Sequence, residues 1–214
     1  HITGIPMSTE PYFVKAFGYV KKAAALANRD LGVLDARIAE AIAAACDRLI
    51  AGEMREQFVT DFIQGGAGTS TNMNANEVIA NLALERLGHQ KGEYQYVSPN
   101  DHVNFGQSTN DVYPTAFRLA LILRLGSYMD ALRHLQDAFF AKGKEFEKVL
   151  KMGRTHLQDA VPMSLGQEFN GWGTTIGEEV QRIAEVRKLL HEINLGATAI
   201  GTSVTAAPGY PALA

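Results

Sequence analysis

Two long stretches with helical periodicity constrain the fold of this chain more than any other feature. Through residues 165–195, apolar side chains recur at alternating spacings of 3 and 4: Phe169, Trp172, Ile176, Ile183, Val186, Leu190 and Ile193. Residues 108–150 show the same kind of pattern. At 1.5 Å per residue, each helix would be about 45–60 Å long. Two such helices cannot bury continuous apolar seams on each other alone, so we predict a helix bundle completed by further chain or by other subunits.

Three shorter helices are predicted before these two. They run from about Tyr12 to Leu31, from Leu34 to Ala51 and from Asn74 to Leu87. A glycine follows each of them directly, as is common at helix ends. No strand-like alternation of useful length is present in the sequence. The predicted fold class is therefore all-α.

Composition narrows the class of protein. Apolar residues make up 46% of the 214 residues and the net charge is −3, so a sizeable core is available and nothing suggests a nucleic-acid partner. The single cysteine, Cys46, excludes an internal disulfide framework and fits a reducing compartment, the cytoplasm. We interpret Cys46 as a small buried apolar residue. Neither a signal peptide nor an apolar run of the ~18 residues that a membrane span needs is visible.

Three polar loops lie between the predicted helices: residues 64–74, 104–111 and 153–162. Loops held by rigid helices are where catalytic and binding residues concentrate. The first is rich in glycine but lacks the lysine of a phosphate-binding loop, so a nucleotide site is disfavoured. A plain connection stays open for it, beside a site in which Thr69, Thr71 and backbone N–H groups hold a carboxylate.

The second and third loops also allow two interpretations each. Ser108-Thr109-Asn110-Asp111 exceeds the single residue that a helix N-cap requires, and a helix N-terminus suits an anion. Cap and site are equally favoured there. In the third loop, Thr155 and His156 are candidates for function, with Asp159 as a possible orienting partner of His156, although a lone histidine is more often structural.

Taken together, the candidate groups are neutral donors: Thr69, Thr71, Ser108, Thr109, Asn110 and Thr155. Hydroxyls and amides that converge on one site suit a substrate with carboxylates, including one that gains negative charge in the transition state. Glu77 and Asp111 are expected to orient these loops. No two histidines have metal-ligand spacing and Cys46 has no partner, so no metal site is predicted. The residues alone indicate no convincing base.

These loops resemble the three signature regions of the fumarase/aspartase superfamily. The first region is Gly-Thr-Ser-Thr-Asn-Met-Asn-Ala-Asn-Glu at 68–77, the second is Gln-Ser-Thr-Asn-Asp at 107–111, and the third is Gly-Arg-Thr-His-Leu-Gln-Asp-Ala at 153–160. Within the superfamily the resemblance is greatest to aspartate ammonia-lyases, through residues 88–96 and 194–202. Fumarases usually carry a histidine where this chain has Ser98.

The resemblance implies a fold and an assembly. Residues 1–106 would form a mostly helical N-terminal domain, and residues 107–214 the first long helices of the superfamily's central helix bundle. The superfamily is homotetrameric, with a twenty-helix bundle and active sites assembled from three subunits. The chain begins at His1 and ends at Ala214 without a terminating pattern, so we expect it to be an N-terminal fragment, cut at both ends.

The resemblance also implies a reaction: reversible anti elimination of ammonia from L-aspartate to give fumarate, without a cofactor. Thr69, Ser108 and Thr109 would bind the carboxylate beside the carbon that loses a proton, and hold the aci-carboxylate intermediate. Asn110 and His156 would hold the amino group and its surroundings, and Thr155 the other carboxylate. His156 would orient groups and handle charge rather than act as the base.

One part of the superfamily pattern does not match. The base of the superfamily is a serine in a Gly-Ser-Ser loop, followed by a Met-Pro-x-Lys-x-Asn segment, and this chain contains no Ser-Ser pair. We therefore expect the isolated chain to be inactive. Two alternatives stay open: a fumarase acting on L-malate or a related lyase, and, for the isolated chain, a non-catalytic helical assembly piece.

Overall fold

The structure is a computed structural model that describes residues 2–214, most of which lie in helices. The helices are α1 (Pro11–Asp30), α2 (Ala36–Ile50), α3 (Thr69–Arg86), α4 (Thr109–Glu145), α5 (Leu165–Leu189) and α6 (Tyr210–Leu213). Strands β1 (Leu150–Thr155) and β2 (Gln158–Ser164) form one antiparallel hairpin between α4 and α5. The predicted, mostly helical fold class is confirmed, with this hairpin as an addition.

The chain divides into two compact units. One contains residues 2–121 together with 192–214, and the other contains residues 122–191. Each unit is described separately below. The domain boundary predicted after residue 106 stays a prediction.

The core of the first unit is built by α1, α2 and α3. On α2, Ile42, Ala45 and Leu49 are buried on one face, as their spacing predicts, and Cys46 is buried beside them. Helices α1 and α2 approach closely at Gly18, where an added Cβ would lie 2.9 Å from Ile50 Cγ1. Burying a side chain of the size of Leu49 contributes about 1.5–3 kcal/mol, so this face holds α2 in place.

Helix α3 begins at Thr69, five residues before the predicted start at Asn74. The early turns of α3 bury polar side chains, Thr71 and Asn72 among them. The sequence therefore shows no apolar periodicity from which these turns could have been predicted. The Thr71 hydroxyl accepts a hydrogen bond from Gln64 Nε2 at 2.6 Å. The prediction that Thr71 helps to hold a carboxylate is wrong, because its side chain is fully buried inside the first unit.

The residue before α3 brings the starts of α3 and α4 together. Gly68 has a left-handed backbone (φ +87°), and a Cβ placed on it would lie 2.2 Å from Cδ2 of Tyr113 in the first turns of α4. The Tyr113 ring also packs edge-on against Phe13, with ring centroids 5.3 Å apart. Only glycine leaves room for this ring at position 68.

In the second unit, α5 packs closely against the later part of α4. Phe169 contacts Trp172 and Phe146, with ring centroids 4.9 and 5.5 Å away. Gly173 lies against the Phe140 ring, where a Cβ would come within 2.8 Å. Trp172, Val186 and Leu189 stay exposed. That further helices of a bundle cover these exposed apolar residues remains a prediction.

The long helices end earlier than predicted, α4 at Glu145 rather than near Leu150 and α5 at Leu189 rather than near Leu195. After α4, the chain turns into β1. After α5, the Glu192 carbonyl accepts from Arg118 and the Asn194 amide donates to Asn110 O, so the chain follows these contacts instead of continuing the helix. The predicted start of α5 at Leu165 is confirmed, and Ser164 with Gln167 forms a capping box there.

Residues 153–162 form most of a β-hairpin, and the prediction of an irregular loop is wrong. Thr155 pairs with Gln158, which leaves His156 and Leu157 as a two-residue turn. Both have positive φ, 48° and 62°, the backbone pattern of the type I′ hairpin turn. Both faces of the hairpin are largely exposed, so the alternation that signals a half-buried strand is missing from the sequence.

Candidate functional site

The polar residues at the starts of α3 and α4 form one connected cluster in the first unit. The Asn72 amide of α3 donates a 3.0 Å hydrogen bond to Thr109 Oγ1 at the start of α4. Together with the contact between Gly68 and Tyr113, this bond places the two helix N-termini side by side. The N-terminus of a helix carries partial positive charge, so two adjacent N-termini favour an anion.

The four candidate residues of this unit differ in how much of their hydrogen-bonding capacity is used. Thr69 is exposed, and its hydroxyl donates to Gly66 O at 3.0 Å. Ser108 Oγ accepts from the Asn110 backbone N–H at 3.2 Å, so Ser108 does act as a cap. A hydroxyl has one donor and two acceptor positions, so Ser108 and Thr109, whose oxygens accept, keep their O–H groups for a ligand.

Asn110 is exposed, but its amide is tied to the returning chain. Asn110 Nδ2 donates to Ala199 O at 2.9 Å, and Asn194 Nδ2 donates to Asn110 O at 3.1 Å. Residues 194–199 therefore hold Asn110 in one orientation. These residues belong to residues 194–202, one of the two stretches on which the resemblance in the sequence analysis depends.

Asp111 fixes the same region through its buried carboxylate. It is fully buried, and its carboxylate accepts from three backbone N–H groups: Ser108 at 3.0 Å, Gly196 at 3.2 Å and Thr198 at 2.8 Å. The expectation that Asp111 orients the loop is in agreement with this geometry. A buried carboxylate of this kind joins the start of α4 to the 194–202 stretch through charge-assisted bonds.

Lys21, on α1, is the buried charged residue that sequence reasoning missed. Its side chain is fully buried, and Nζ donates to Asn104 Oδ1 and Gln107 Oε1, each at 2.9 Å. Burial lowers the pKa of Lys21 to about 7, against smaller opposing effects of Cys46 and of the Asp111 carboxylate. Beside Lys22 the residue resembles an ordinary helix-surface lysine, so no local signal could have found it.

Asn104 connects Lys21 to the candidate residues. Its Oδ1 also accepts from Asn72 Nδ2 and from Asn76 Nδ2, both at 3.2 Å. Asn72 in turn donates to Thr109. A continuous hydrogen-bonded path therefore runs from the Lys21 ammonium through two amides to the Thr109 hydroxyl.

The remaining two candidates, Thr155 and His156, lie in the second unit at the tip of the hairpin. Both are exposed, and the neighbouring Leu157 is 94% exposed. Asp159 contacts Arg154 across the hairpin, with 3.4 Å between Oδ1 and Nε. The prediction that Asp159 orients His156 is therefore wrong. Two consecutive non-glycine residues in the left-handed region store strain, which is a feature of functional loops.

Among residues 2–214, no group of three or more His, Cys, Asp or Glu side chains is placed to hold a metal ion. Of the helices that the structure describes, none has both the length and the apolarity needed to cross a membrane.

Known proteins resemble this chain over nearly its whole length. Residues 6–214 match the model of a lyase family. An aspartate ammonia-lyase of Pseudomonas fluorescens is 59% identical over 214 residues, which are 100% of this chain and 45% of that protein. The chain thus spans about half the length of the curated relatives it matches.

Two solved structures have folds similar to that of this chain. One is fumarate lyase:delta crystallin from Brucella melitensis bound to cobalt, with a TM-score of 0.93 and 55% identity, covering 97% of this chain and 45% of that chain. The other is recombinant class II fumarase from Schistosoma mansoni, with a TM-score of 0.86 and 37% identity, covering 94% of this chain and 42% of that chain.

Proposed function

Because the chain belongs to the lyase family of fumarases and aspartases, we propose that the whole protein is an ammonia-lyase that converts L-aspartate reversibly into fumarate and ammonia. The observation that carries this proposal is the paired start of α3 and α4, where Asn72 and Thr109 are joined at 3.0 Å. This pairing presents neutral hydroxyl donors beside two helix N-termini. We place the reaction in the cytoplasm.

The substrate carboxylate beside the reacting carbon binds to Thr69, Ser108 and Thr109. Ser108 and Thr109 donate the O–H groups that their present contacts leave free. Thr69 rotates its hydroxyl away from Gly66 O to do the same. Neutral donors suit this task because they accommodate both one and two negative charges on the bound group.

The reaction is an anti elimination. A base removes a proton from the β-carbon of L-aspartate, and the electron pair moves into the adjacent carboxylate to give a doubly negative aci-carboxylate. The pair then returns to form the double bond of fumarate, while the carbon–nitrogen bond breaks and ammonia leaves. Removing one donor to such an oxyanion typically costs about 2.7–4 kcal/mol of barrier reduction.

Asn110, Thr155 and His156 complete the substrate contacts. Asn110 and His156 hold the amino group and its surroundings, and Thr155 binds the second carboxylate. The protein is a homotetramer in which these residues reach one site from three subunits. The strained, exposed hairpin tip and the uncovered apolar residues of α5 support this arrangement, because both are suited to contacts with other chains.

The base comes from outside this chain, as the Gly-Ser-Ser pattern of the superfamily is missing from its sequence. His156 orients the substrate and handles charge instead. The 214-residue chain by itself is then an inactive helical assembly piece. No step of the proposed reaction requires a cofactor.

A fumarase is the second candidate function. The class II fumarase of Schistosoma mansoni shares the fold, with 37% identity, and L-malate differs from L-aspartate only in the leaving group. Ser98, which caps the turn at residues 99–103, occupies the position where fumarases usually carry a histidine. The ammonia-lyase is therefore the better supported proposal.

The test compares two substrates with the same purified whole protein. Fumarate formation is followed by its ultraviolet absorbance with L-aspartate and, separately, with L-malate. We expect turnover of L-aspartate and little or none of L-malate. Turnover of L-malate alone would replace the proposal by the second candidate.

A further inference from the structure

We propose that Lys21 is a positioning residue that fixes the direction of hydrogen bonding at the carboxylate site, so that the Thr109 hydroxyl is left free to donate. This inference rests on the proposed role of Thr109 as a donor to a substrate carboxylate. Lys21 itself touches neither Thr109 nor the substrate in this account. It acts through Asn104 and Asn72.

The placement of Lys21 calls for an explanation. An ammonium group in a protein core is unfavourable unless it is paired, and a well-packed apolar residue of similar volume is often more stable. In residues 2–214 the two hydrogen-bond acceptors of Lys21 are both neutral amides, Asn104 and Gln107. Both lie next to the start of α4, so this buried charge acts on the candidate site.

The ammonium determines which end of each amide faces which neighbour. It carries three donors and no acceptor, so the side chains that receive its hydrogen bonds must present oxygen. Asn104 therefore turns Oδ1 towards Lys21, and the same oxygen accepts from Asn72 Nδ2 at 3.2 Å. Asn72 consequently turns its amide nitrogen towards this cluster and donates to Thr109 Oγ1 at 3.0 Å.

The orientation of Asn72 decides what Thr109 can offer a ligand. When Asn72 donates, it occupies a lone pair of Oγ1 and leaves the O–H group available. If Asn104 and Asn72 both rotated their amides by half a turn, Asn72 Oδ1 would face Thr109 and take that O–H for itself. Lys21 excludes the reversed arrangement, because an amide nitrogen of Asn104 would then face the ammonium.

Gln107 provides a second route to the same loop. Its Oε1 accepts from Lys21, while its Nε2 donates to Val103 O at 3.0 Å and Phe105 O at 3.3 Å. These bonds fix the chain directly before Ser108. Lys21 thus holds Gln107, which directly precedes Ser108, and acts on Thr109 through Asn104 and Asn72.

The experiment measures succinate binding to the whole protein by calorimetry at about pH 6, below the pKa of Lys21, so that its side chain is an ammonium group. Succinate is a dicarboxylate that cannot undergo the elimination. Lys21→Met removes the donors with little change of volume. Lys22→Met is the matched control, because Lys22 is the adjacent lysine and pairs with Asp47 on the surface. We expect about tenfold weaker succinate binding for Lys21→Met and a change below about twofold for Lys22→Met.

Two further readouts separate positioning from a general loss of structure. A partly misfolded sample has fewer binding sites but an unchanged Kd per site, whereas lost positioning raises the Kd at full stoichiometry. In an Asn72→Ala background, Lys21→Met should have a clearly smaller effect on the Kd than in the unaltered protein, because the connection to Thr109 is already cut and only the route through Gln107 remains. If Lys21→Met does not fold, Asn72→Ala alone must raise the Kd by a similar factor.

The outcomes distinguish this inference from the proposed function. If the protein makes fumarate from L-aspartate but binds succinate equally well with and without Lys21, the inference is overturned and the function stands. If it makes no fumarate but binds succinate in a Lys21-dependent manner, the function fails and the inference stands. Absence of succinate binding in the unaltered protein, or an unchanged Kd for Asn72→Ala, also overturns the inference.

Discussion

The side-chain amide of Asn72 donates a 3.0 Å hydrogen bond, across the starts of two helices, to the hydroxyl of Thr109, which lies 37 residues later in the chain. This bond joins two loops that the sequence presents as separate polar motifs. It makes them a single cluster with free hydroxyl donors.

Replacing Asn72 by alanine should lower kcat/KM for L-aspartate in the whole protein. Thr109 would lose the partner that orients its hydroxyl, and one such bond contributes about 1 kcal/mol, or about fivefold. Asn81→Ala is the control on the same helix, since Asn81 contacts Gly92 N and Tyr94 away from the cluster. Steady-state kinetics of both variants check this, and equal values would contradict the role of Asn72.

Gly68→Ala should destabilise the fold strongly. The new methyl would collide with the Tyr113 ring, and an L-residue at φ +87° is strained in addition. Overpacking and left-handed strain together cost about 3 kcal/mol. Gly65→Ala is the control, because nothing lies within 4 Å of that site. Urea unfolding followed by circular dichroism measures both, and similar midpoints for the two variants would refute the steric account.

Asp111→Asn should loosen the 194–202 stretch without changing side-chain volume. The amide cannot accept all three backbone N–H bonds, and each buried group left unpaired costs about 1–3 kcal/mol. Hydrogen exchange at the amides of Gly196 and Thr198 should accelerate. The exposed Asp47→Asn serves as the comparison, for which exchange at these two amides should stay at its original rate.

Substitutions at the hairpin tip, His156 and Leu157, can distinguish the effect of backbone strain from the effect on function. Leu157→Gly and His156→Gly should each relieve about 1 kcal/mol of left-handed strain, visible as slower amide exchange across β1 and β2. Only His156→Gly should reduce kcat/KM for L-aspartate, by about tenfold or more, because only His156 is assigned to the substrate. Full activity of His156→Gly would remove His156 from the proposed site.

The buried Lys21 predicts how stability depends on pH. Its pKa falls from 10.5 to about 7 on folding, so above pH 7 the unfolded chain holds a proton that the folded chain has lost. The free energy of unfolding should therefore rise with pH between about 7 and 9, with a slope of up to about 1.4 kcal/mol per pH unit from this group. Below pH 7 this contribution should level off.

Lys21→Met should abolish that slope, which urea titrations at several pH values can show. The measurement is best kept below pH 9, because burial raises the pKa of Cys46 from 9.0 to about 12 and the thiol then acts in the opposite sense. Lys22→Met, at the partly exposed neighbouring lysine, should keep the slope of the unaltered protein. A slope that survives Lys21→Met would assign the effect to another group.

The sequence was sufficient for features with local signals. The start of α4 was predicted because Ser108 to Asp111 are capping residues before an apolar run, and the ends of α1 and α2 because glycines follow them. The start of α3 was misplaced, since its buried face is polar and partners such as Asn104 lie about 30 residues away. The hairpin was missed because its strands are exposed on both faces.

Lys21 shows most clearly which features could not be predicted from the sequence. Its partners Asn104 and Gln107 are 83 and 86 residues away, so its burial is a property of the tertiary fold alone. The same holds for Asp111, whose carboxylate bonds reach Gly196 and Thr198. Residue types indicated which side chains could bind a carboxylate, whereas the supporting network required the structure.

The role of the Thr109 hydroxyl is tested most directly by fumarate formation from L-aspartate, measured for the purified whole protein and for its Thr109→Val variant. Valine keeps the shape of threonine and removes the hydroxyl that the cluster is built to present. We predict turnover by the unaltered protein and a loss of about a hundredfold or more in kcat for the variant. Fumarate formation at equal rates by both proteins would contradict this prediction, as would its absence from both.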